Sequence, residues 1–276
     1  MARMSEAIPC RLCGGEAANI FTETVLGKHR VAYFRCADCR SVQTEPPYWL
    51  DEAYQSALAH VDTDAARRSV DNRVRVALYR KLFARKDGKM LDFGGGFGLL
   101  CRLLRDWGID CVFMDRYAAP GFAEPFRVDT ITADTYDIIT GFEILEHLPD
   151  PAEALAPVFA VGADHLLFST ELVAADAGPE WHYFAFDQGQ HVFFYSAEAM
   201  TGLAERHGYC YRNFGNLHAF SRAPLGRVRL AVFGLFRKGA AKFVAEFAFK
   251  LALHIRGVDG TRHDSEVVLK RPSSRG

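Results

Sequence analysis

The sequence predicts an α/β protein: a mostly parallel sheet with an antiparallel last strand, preceded by a small cysteine-bearing module. Three observations predict it. Short apolar runs (MLDFGG, CVFMD, YDIITGF, HLLFST) alternate with helical stretches beginning near Gly98, Pro151 and Ser196, the texture of a parallel sheet covered on both faces. The first of these runs opens into a loop carrying Gly94, Gly96 and Gly98. Four of the seven cysteines fall within the first 39 residues, as two pairs. At 276 residues, 49% hydrophobic and 24% charged, the chain can bury a substantial core, and a disordered, collagen-like or coiled-coil chain is excluded.

Residues 1–50 read as a zinc-binding module. Cys10-x2-Cys13 and Cys36-x2-Cys39 stand 22 residues apart, the strand-like VAYFRC runs into the second pair, and Pro46-Pro47 punctuates the end. Four thiolates satisfy a tetrahedral ion and leave no open position, so the expected metal is structural zinc held by Cys10, Cys13, Cys36 and Cys39. A redox role would call for a βαβ setting that neither pair has. Cys101, Cys111 and Cys210 lie among apolar residues and read as core thiols.

Residues 51–225 form the expected core. A helix spans about 62–85, with Asp62 or Thr63 as cap and Val70, Val74, Leu78 and Leu82 on one side. Asp92, Asp115, Glu143 and Glu171 each end a predicted strand, the edge where open α/β sheets bind ligands. The third strand, near 126–132, is weakly marked, and both Asp129 and Asp134 remain open as contacts to a base. YCYRNFGN and DSEVVLKR read as the last two strands, the second within a 263–276 strand and tail. Between them, residues 226–262 read as a basic, phenylalanine-rich helical insertion in which Lys238, Lys242, Glu246, Lys250 and His254 make a narrow polar stripe. Gly234 and Gly239 are candidate breaks. From Gly226 onward 11 Lys and Arg face 4 Asp and Glu, whereas the chain as a whole carries −1. The apolar face of 228–256 leaves open burial on the body, a homodimer, and peripheral contact with an anionic membrane.

The loop Asp92-x-Gly94-x-Gly96-x-Gly98 resembles the cofactor loop of class I S-adenosylmethionine (SAM) methyltransferases; a dinucleotide fingerprint is not met, because the sixth position from Gly94 is Leu99. Asp115 ends the next strand, where that family places an acid that accepts from both ribose hydroxyls. YDIITGFEILEHLPDP (136–151) is similar to the family's fourth strand and following turn. The resemblance implies a Rossmann-like class I methyltransferase sheet and SAM as cofactor. The cofactor contacts it implies are Asp92, Gly94, Gly96, Gly98, Asp115, Phe142 and Glu143.

A four-cysteine module ahead of such a domain is similar to sugar C-methyltransferases acting on nucleotide-linked deoxyketosugars, although the additional C-terminal α/β domain of that family is not recognisable here. Gln190-His191 followed by Tyr195-Ser196 resembles their E-H-x-x-Y-F-S segment, with Gln for Glu. It implies His191 as general base, accompanied by Tyr195; an imidazole titrates near neutrality and suits the task. The alternative is a hydrogen-bonded histidine that only positions the helix capped by Ser196. His147 reads as a turn residue, and Trp181, His182 and Tyr183 either wall an acceptor pocket or pack a lid. The expected reaction is in-line methyl transfer to a small-molecule acceptor, a nucleotide-linked sugar or other saccharide. A small-molecule O-methyltransferase and a catalytically idle SAM-fold zinc-ribbon adaptor are the rivals. No nucleic-acid partner is expected from the acidic body. With no apolar run of about 18 residues and no signal-like apolar core, the expected address is cytoplasmic, at most peripheral to a membrane.

Overall fold

The computed structural model describes residues 7–57, 64–85, 87–119, 121–255, 257–258 and 260–269. Strands β1 (Ile8–Pro9), β2 (Glu16–Val25), β3 (His29–Cys36) and β4 (Val42–Thr44) lead into helices α1 (Leu50–Ala57) and α2 (Ala65–Phe83). Then β5 (Met90–Phe93), α3 (Leu99–Arg105), β6 (Cys111–Met114), β7 (Ile138–Gly141), α4 (Pro151–Ala160) and β8 (His165–Ser169) follow. The chain continues through β9 (Phe193–Phe194), α5 (Ala197–Arg206), β10 (Cys210–Asn213) and β11 (Leu217–Ser221), and ends in α6 (Arg227–Phe236), α7 (Gly239–Ile255) and α8 (Gly260–Leu269). It divides into two compact units: residues 1–63, 141–160 and 167–222, and residues 64–140, 161–166 and 223–276.

In the first unit, β1-β2-β3-β4-β9 form an antiparallel sheet in which Val42 pairs with Phe194. The boundary drawn at residue 50 therefore does not close a separate module: its sheet takes its last strand from residues 193–194. The reason is apolar. Tyr33, Trp49, Phe184, Phe194, Val31, Val42 and Val192 make one buried cluster, with Phe184 edge-on to Phe194 at 4.7 Å. Each such side chain, fully buried, contributes on the order of 1.5–3 kcal/mol. The indole of Trp49 donates to Gly189 O at 2.8 Å, which satisfies its one polar atom. Ser196 caps α5, its hydroxyl accepting from Ala199 N at 2.9 Å.

The second unit holds a parallel trio with β5 between β6 and β7; Met90 pairs with both Cys111 and Ile138. Met90, Leu91, Cys111, Phe113, Ile138 and Ile139 are buried, as strands covered on both faces require. Helix α2 begins at Ala65, and the caps expected at Asp62 and Thr63 lie outside the described residues. The weakly marked third strand is absent among the described residues: Phe126 ends a short 3-10 turn, and one isolated bridge joins Phe113 to Arg127.

The C-terminal segment corrects the sequence reading. The last hairpin is β10 with β11, Cys210 opposite Ser221, closed by Phe214 N–H to Leu217 O at 2.8 Å. Residues 227–255 therefore follow the sheet and are not an insertion within it. They form two helices that part at Gly239, whose φ of 65° favours glycine, whereas Gly234 sits inside α6. The expected strand DSEVVLKR is α8 as far as Leu269, and 270–276 lie outside the described residues. The helix is anchored because Asp264 accepts from Arg105 at 2.9 and 2.7 Å, both side chains being buried. Among the described residues no helix is long and apolar enough to cross a membrane.

Removing the Asp264 charge takes the bidentate acceptor from Arg105, which keeps Asp110 at 2.9 Å, and an acceptor from Arg102 at 2.7 Å. Asp264→Asn is expected to lower stability by about 2–3 kcal/mol in denaturant unfolding; an effect below about 0.5 kcal/mol, the level of a solvated surface site, would refute an anchored α8.

Candidate active site

The glycine loop follows β5 directly. Asp92 is buried at 3% exposure, and its Oδ1 accepts from the Thr140 hydroxyl at 2.7 Å. Burial pushes this carboxyl up to about 7, against the lowering effect of Thr140 and with a smaller upward contribution from Asp115. Gly98, at φ 78°, starts α3, and a Cβ there would meet the Phe113 ring at 2.9 Å, so both conformation and space demand glycine. Gly96 has no heavy atom within 4 Å of a Cβ position, leaving the loop's backbone open to a ligand. The Asp115 carboxylate ties this loop to β6: Oδ2 accepts from Gly96 N–H at 2.9 Å, and Oδ1 from Tyr117 and Ala118 N–H at 2.8 and 2.7 Å. A carboxylate offers about four acceptor positions, so a ribose hydroxyl can still bind it. Asp92, Gly94, Gly96, Gly98 and Asp115 thus share one loop cluster, and its open backbone and acidic acceptor fit an adenosine-bearing cation.

Sequence reasoning missed three aromatic neighbours of this loop. Phe97, Tyr117 and Phe122 are exposed by 54, 92 and 56%, and Phe97 O accepts from Gly121 and Phe122 N–H at 3.1 and 3.0 Å. Their signal was adjacency to the glycines and to Asp115. Asp129 and Asp134, the two acids left open for the base, are both exposed.

The remaining residues belong to the first unit. Glu143 has φ 53°, outside the usual range for its type, and is locked to Ser169: its N–H donates to Ser169 Oγ at 2.8 Å, and that hydroxyl donates to Glu143 Oε1 at 2.6 Å. Phe142 beside it is half-buried. Glu171 instead faces His182 at 3.5 Å. Trp181 and His182 line a surface hollow with Phe186, while Tyr183 turns inward and donates to Glu146 Oε1 at 2.7 Å.

Glu146, His147 and His191 form a tight group in which one ligating atom from each lies within 4.8 Å of the others. His191 Nδ1 lies 2.7 Å from Tyr183 O, and His147 Nδ1 3.2 Å from Gln190 O. A carbonyl can only accept, so each Nδ1 carries a proton, and it is Nε2 that bears the lone pair when the ring is neutral. Burial raises the Glu146 carboxyl, opposed by His191 and by Tyr183, and pushes His147 down to about 4. Tyr195 is placed differently from His191. It is wholly buried against Phe193, and burial drives its hydroxyl far above the ordinary tyrosine range, the setting of a packing residue.

The four N-terminal cysteines meet. Cys10 and Cys39 Sγ are 3.7 Å apart, Cys13 and Cys36 Sγ 3.5 Å, and all four lie within 4.8 Å of one another. Sulfurs about 2.3 Å from a tetrahedral ion stand about 3.8 Å apart, close to these two pair distances. Arg11, between the first pair, donates to Pro149 O at 2.7 Å and Val192 O at 2.8 Å. Ser196 donates to Cys39 O, and Arg206 to Leu12 O at 3.0 Å. The cysteine loops are thereby fastened to Pro149 and to the segment that follows His191, at Val192, Ser196 and Arg206.

The raised Asp92 carboxyl has a consequence for stability. The unfolded chain ionises it near 3.8, whereas the folded chain holds the proton up to about 7. Its contribution to folding is therefore fully present below the unfolded value and is lost as pH climbs from about 4 to 7. Asp92→Asn is expected to gain in thermal midpoint relative to wild type across that window, without ligand. Parallel curves for the two proteins from pH 4 to 8 would show that Asp92 does not titrate this way.

A family described as a methyltransferase domain matches residues 63–212. Among curated proteins, the ubiquinone biosynthesis O-methyltransferase of Hahella chejuensis (strain KCTC 2396) is 34% identical over an alignment covering 30% of this chain and 42% of that enzyme. The chain thus spans less than half of that relative. Among solved structures, the methyltransferase domain of a bacterial Hen1 protein is 21% identical, with a TM-score of 0.39, over 56% of this chain and 99% of that one. The magnesium protoporphyrin IX methyltransferase of Synechocystis PCC 6803, solved with bound S-adenosylhomocysteine, is 15% identical, with a TM-score of 0.42, over 63% and 92%. Because the family match extends over more than half of the sequence, the chain belongs to the methyltransferase-domain family of SAM-dependent enzymes.

Proposed function

We propose that the chain transfers the methyl group of SAM to a hydroxyl of a small organic acceptor, and that its four N-terminal cysteines hold a structural zinc ion. The observation that carries the acceptor side is the His191 ring. Its Nδ1–H donates to Tyr183 O at 2.7 Å, which leaves Nε2 as the proton-accepting atom of the neutral ring. Asp115 and the backbone from Gly94 to Gly98 are assigned to SAM, with Tyr117 and Phe97 as apolar cover for the adenosine. Phe142 and Glu143 keep the cofactor role that the family resemblance gives them. Bound SAM supplies an electrophilic methyl on a sulfonium. When bound, that methyl would pass in line to the acceptor oxygen, and the role assigned to His191 is to take the hydroxyl proton at Nε2. Positioning and proton removal are the protein's main contributions.

Choice of an oxygen acceptor is supported by the name of the Hahella relative; a nucleotide-linked sugar rests on the cysteine module and the Gln190–Ser196 segment alone. Zinc is supported by the thiol geometry, and its proposed work is to fix Arg11 and through it the Val192 backbone.

Calorimetry with S-adenosylhomocysteine and transfer assays with labelled SAM test the reading. Wild type is expected to bind the product and methylate members of a panel of phenols, alcohols and nucleotide sugars. Asp115→Ala should lose product binding. His191→Ala should keep it while turnover falls about 10²- to 10⁴-fold, the usual worth of a proton-transfer group. A folded wild type that binds no S-adenosylhomocysteine would sink the enzyme reading and favour the adaptor. Methylation confined to nucleotide sugars would replace the acceptor class.

A further inference from the structure

We propose that Glu146, His147 and His191 form a binding site for a divalent first-row transition-metal ion, separate from the four-cysteine cluster. The proposal deepens the acceptor site and rests on the reading above only for what the ion would act on. Three independent features point to an ion. The ligating atoms come from three side chains and lie within 4.8 Å of one another. Both imidazoles have Nδ1 committed to a main-chain carbonyl, Gln190 O for His147 and Tyr183 O for His191. This is the outer-shell arrangement that fixes the tautomer of metal-binding histidines. Finally, Glu146 is 1% exposed, and its Oε2 has no hydrogen-bond partner, while Oε1 is held by the Tyr183 hydroxyl at 2.7 Å. An unpartnered carboxylate oxygen at that depth is costly, and a cation beside it removes the penalty.

The donor set also selects the ion. Two neutral imidazoles and one carboxylate suit zinc, iron(II), cobalt(II) and their neighbours, and disfavour calcium and magnesium, which prefer oxygen alone. Three protein ligands leave coordination positions open, unlike the closed four-thiol cluster. An acceptor hydroxyl bound at an open position becomes more acidic, because the ion stabilises the alkoxide or phenolate. With an ion bound, His191 Nε2 is a ligand in place of the proton acceptor proposed above, and the hydroxyl proton would pass to solvent. Histidine ligands at about 2.0–2.1 Å from an ion stand about 3.0–3.5 Å apart, so the three groups draw inward on binding.

The two sites are separable with cobalt(II). The full chain, stripped of metal, is titrated and followed by absorption. Thiolate ligands give intense charge-transfer bands; an imidazole–carboxylate site gives only weak ligand-field bands. Wild type is expected to take up two equivalents, one of each kind. Glu146→Gln, His147→Ala and His191→Ala should each lose the weak-band equivalent and keep the charge-transfer one, which also reports that the fold persists. Tyr183→Phe should weaken the second equivalent about 10- to 100-fold. Absence of the weak-band equivalent in wild type, or its retention in all three ligand variants, would overturn the proposal; loss of the charge-transfer equivalent alone would count only against the cysteine site. Two equivalents bound by a protein that transfers no methyl group would leave the metal site standing and overturn the acceptor reading instead.

Discussion

The main chain of Val192 is the point on which the first unit depends. Its N–H donates to Glu146 O at 2.8 Å, and its carbonyl accepts from Thr44 N–H at 3.1 Å and from Arg11 at 2.8 Å. Val192 is fully buried, so each of these bonds, if broken, leaves a polar group without water to replace its partner. One residue before it is His191. The imidazole is therefore positioned by a backbone clamp whose jaws are the turn bearing Glu146 and the loop between the first two cysteines. Arg11 sits between Cys10 and Cys13, so the four-cysteine cluster and the Val192 clamp share one loop.

The glycine loop shows a second form of the same economy. Asp115 accepts three backbone N–H bonds, including that of Gly96, so the carboxylate that shapes the loop is also its acidic acceptor. Such a loop is ordered before any ligand arrives, which reduces the entropy lost on binding. Asp92 behaves differently. Sealed at 3% exposure and bonded to Thr140, it supports the loop from beneath and keeps a proton far above the usual carboxylate range.

Helix α6 buries Phe233 against Tyr79 and Phe83, whereas α7 turns part of its polar stripe inward. Two members of the stripe reach α2, Lys242 pairing with Asp71 and Glu246 with Arg73 at 3.0 Å, while Lys238, Lys250 and His254 are exposed. Phe243, Phe247, Leu251 and Ile255 are exposed too, by 66, 68, 46 and 74%. The stripe was legible as helical period, but which side faces inward depends on what α2 presents. Here α2 presents charge. DSEVVLKR failed for a related reason. Alternating residues favour a strand only where a sheet edge awaits them, and Asp264 is claimed by the buried guanidinium of Arg105.

What the sequence determined by itself is whatever local spacing and backbone need specify. Alternating apolar runs set β5, β6, β7 and β8; glycines at 94, 96 and 98 set a turn that other residues cannot make; the doubled CxxC set four converging thiols. Ser196 announced its cap. What only the tertiary structure decided is how distant segments share partners. The last strand of the cysteine-bearing sheet comes from residues 193–194, Tyr195 turns inward, and Glu146 meets His147 and His191 across a gap of more than forty residues. No local pattern encodes these outcomes, because burial and hydrogen-bond satisfaction are settled by which surfaces the folded chain brings together.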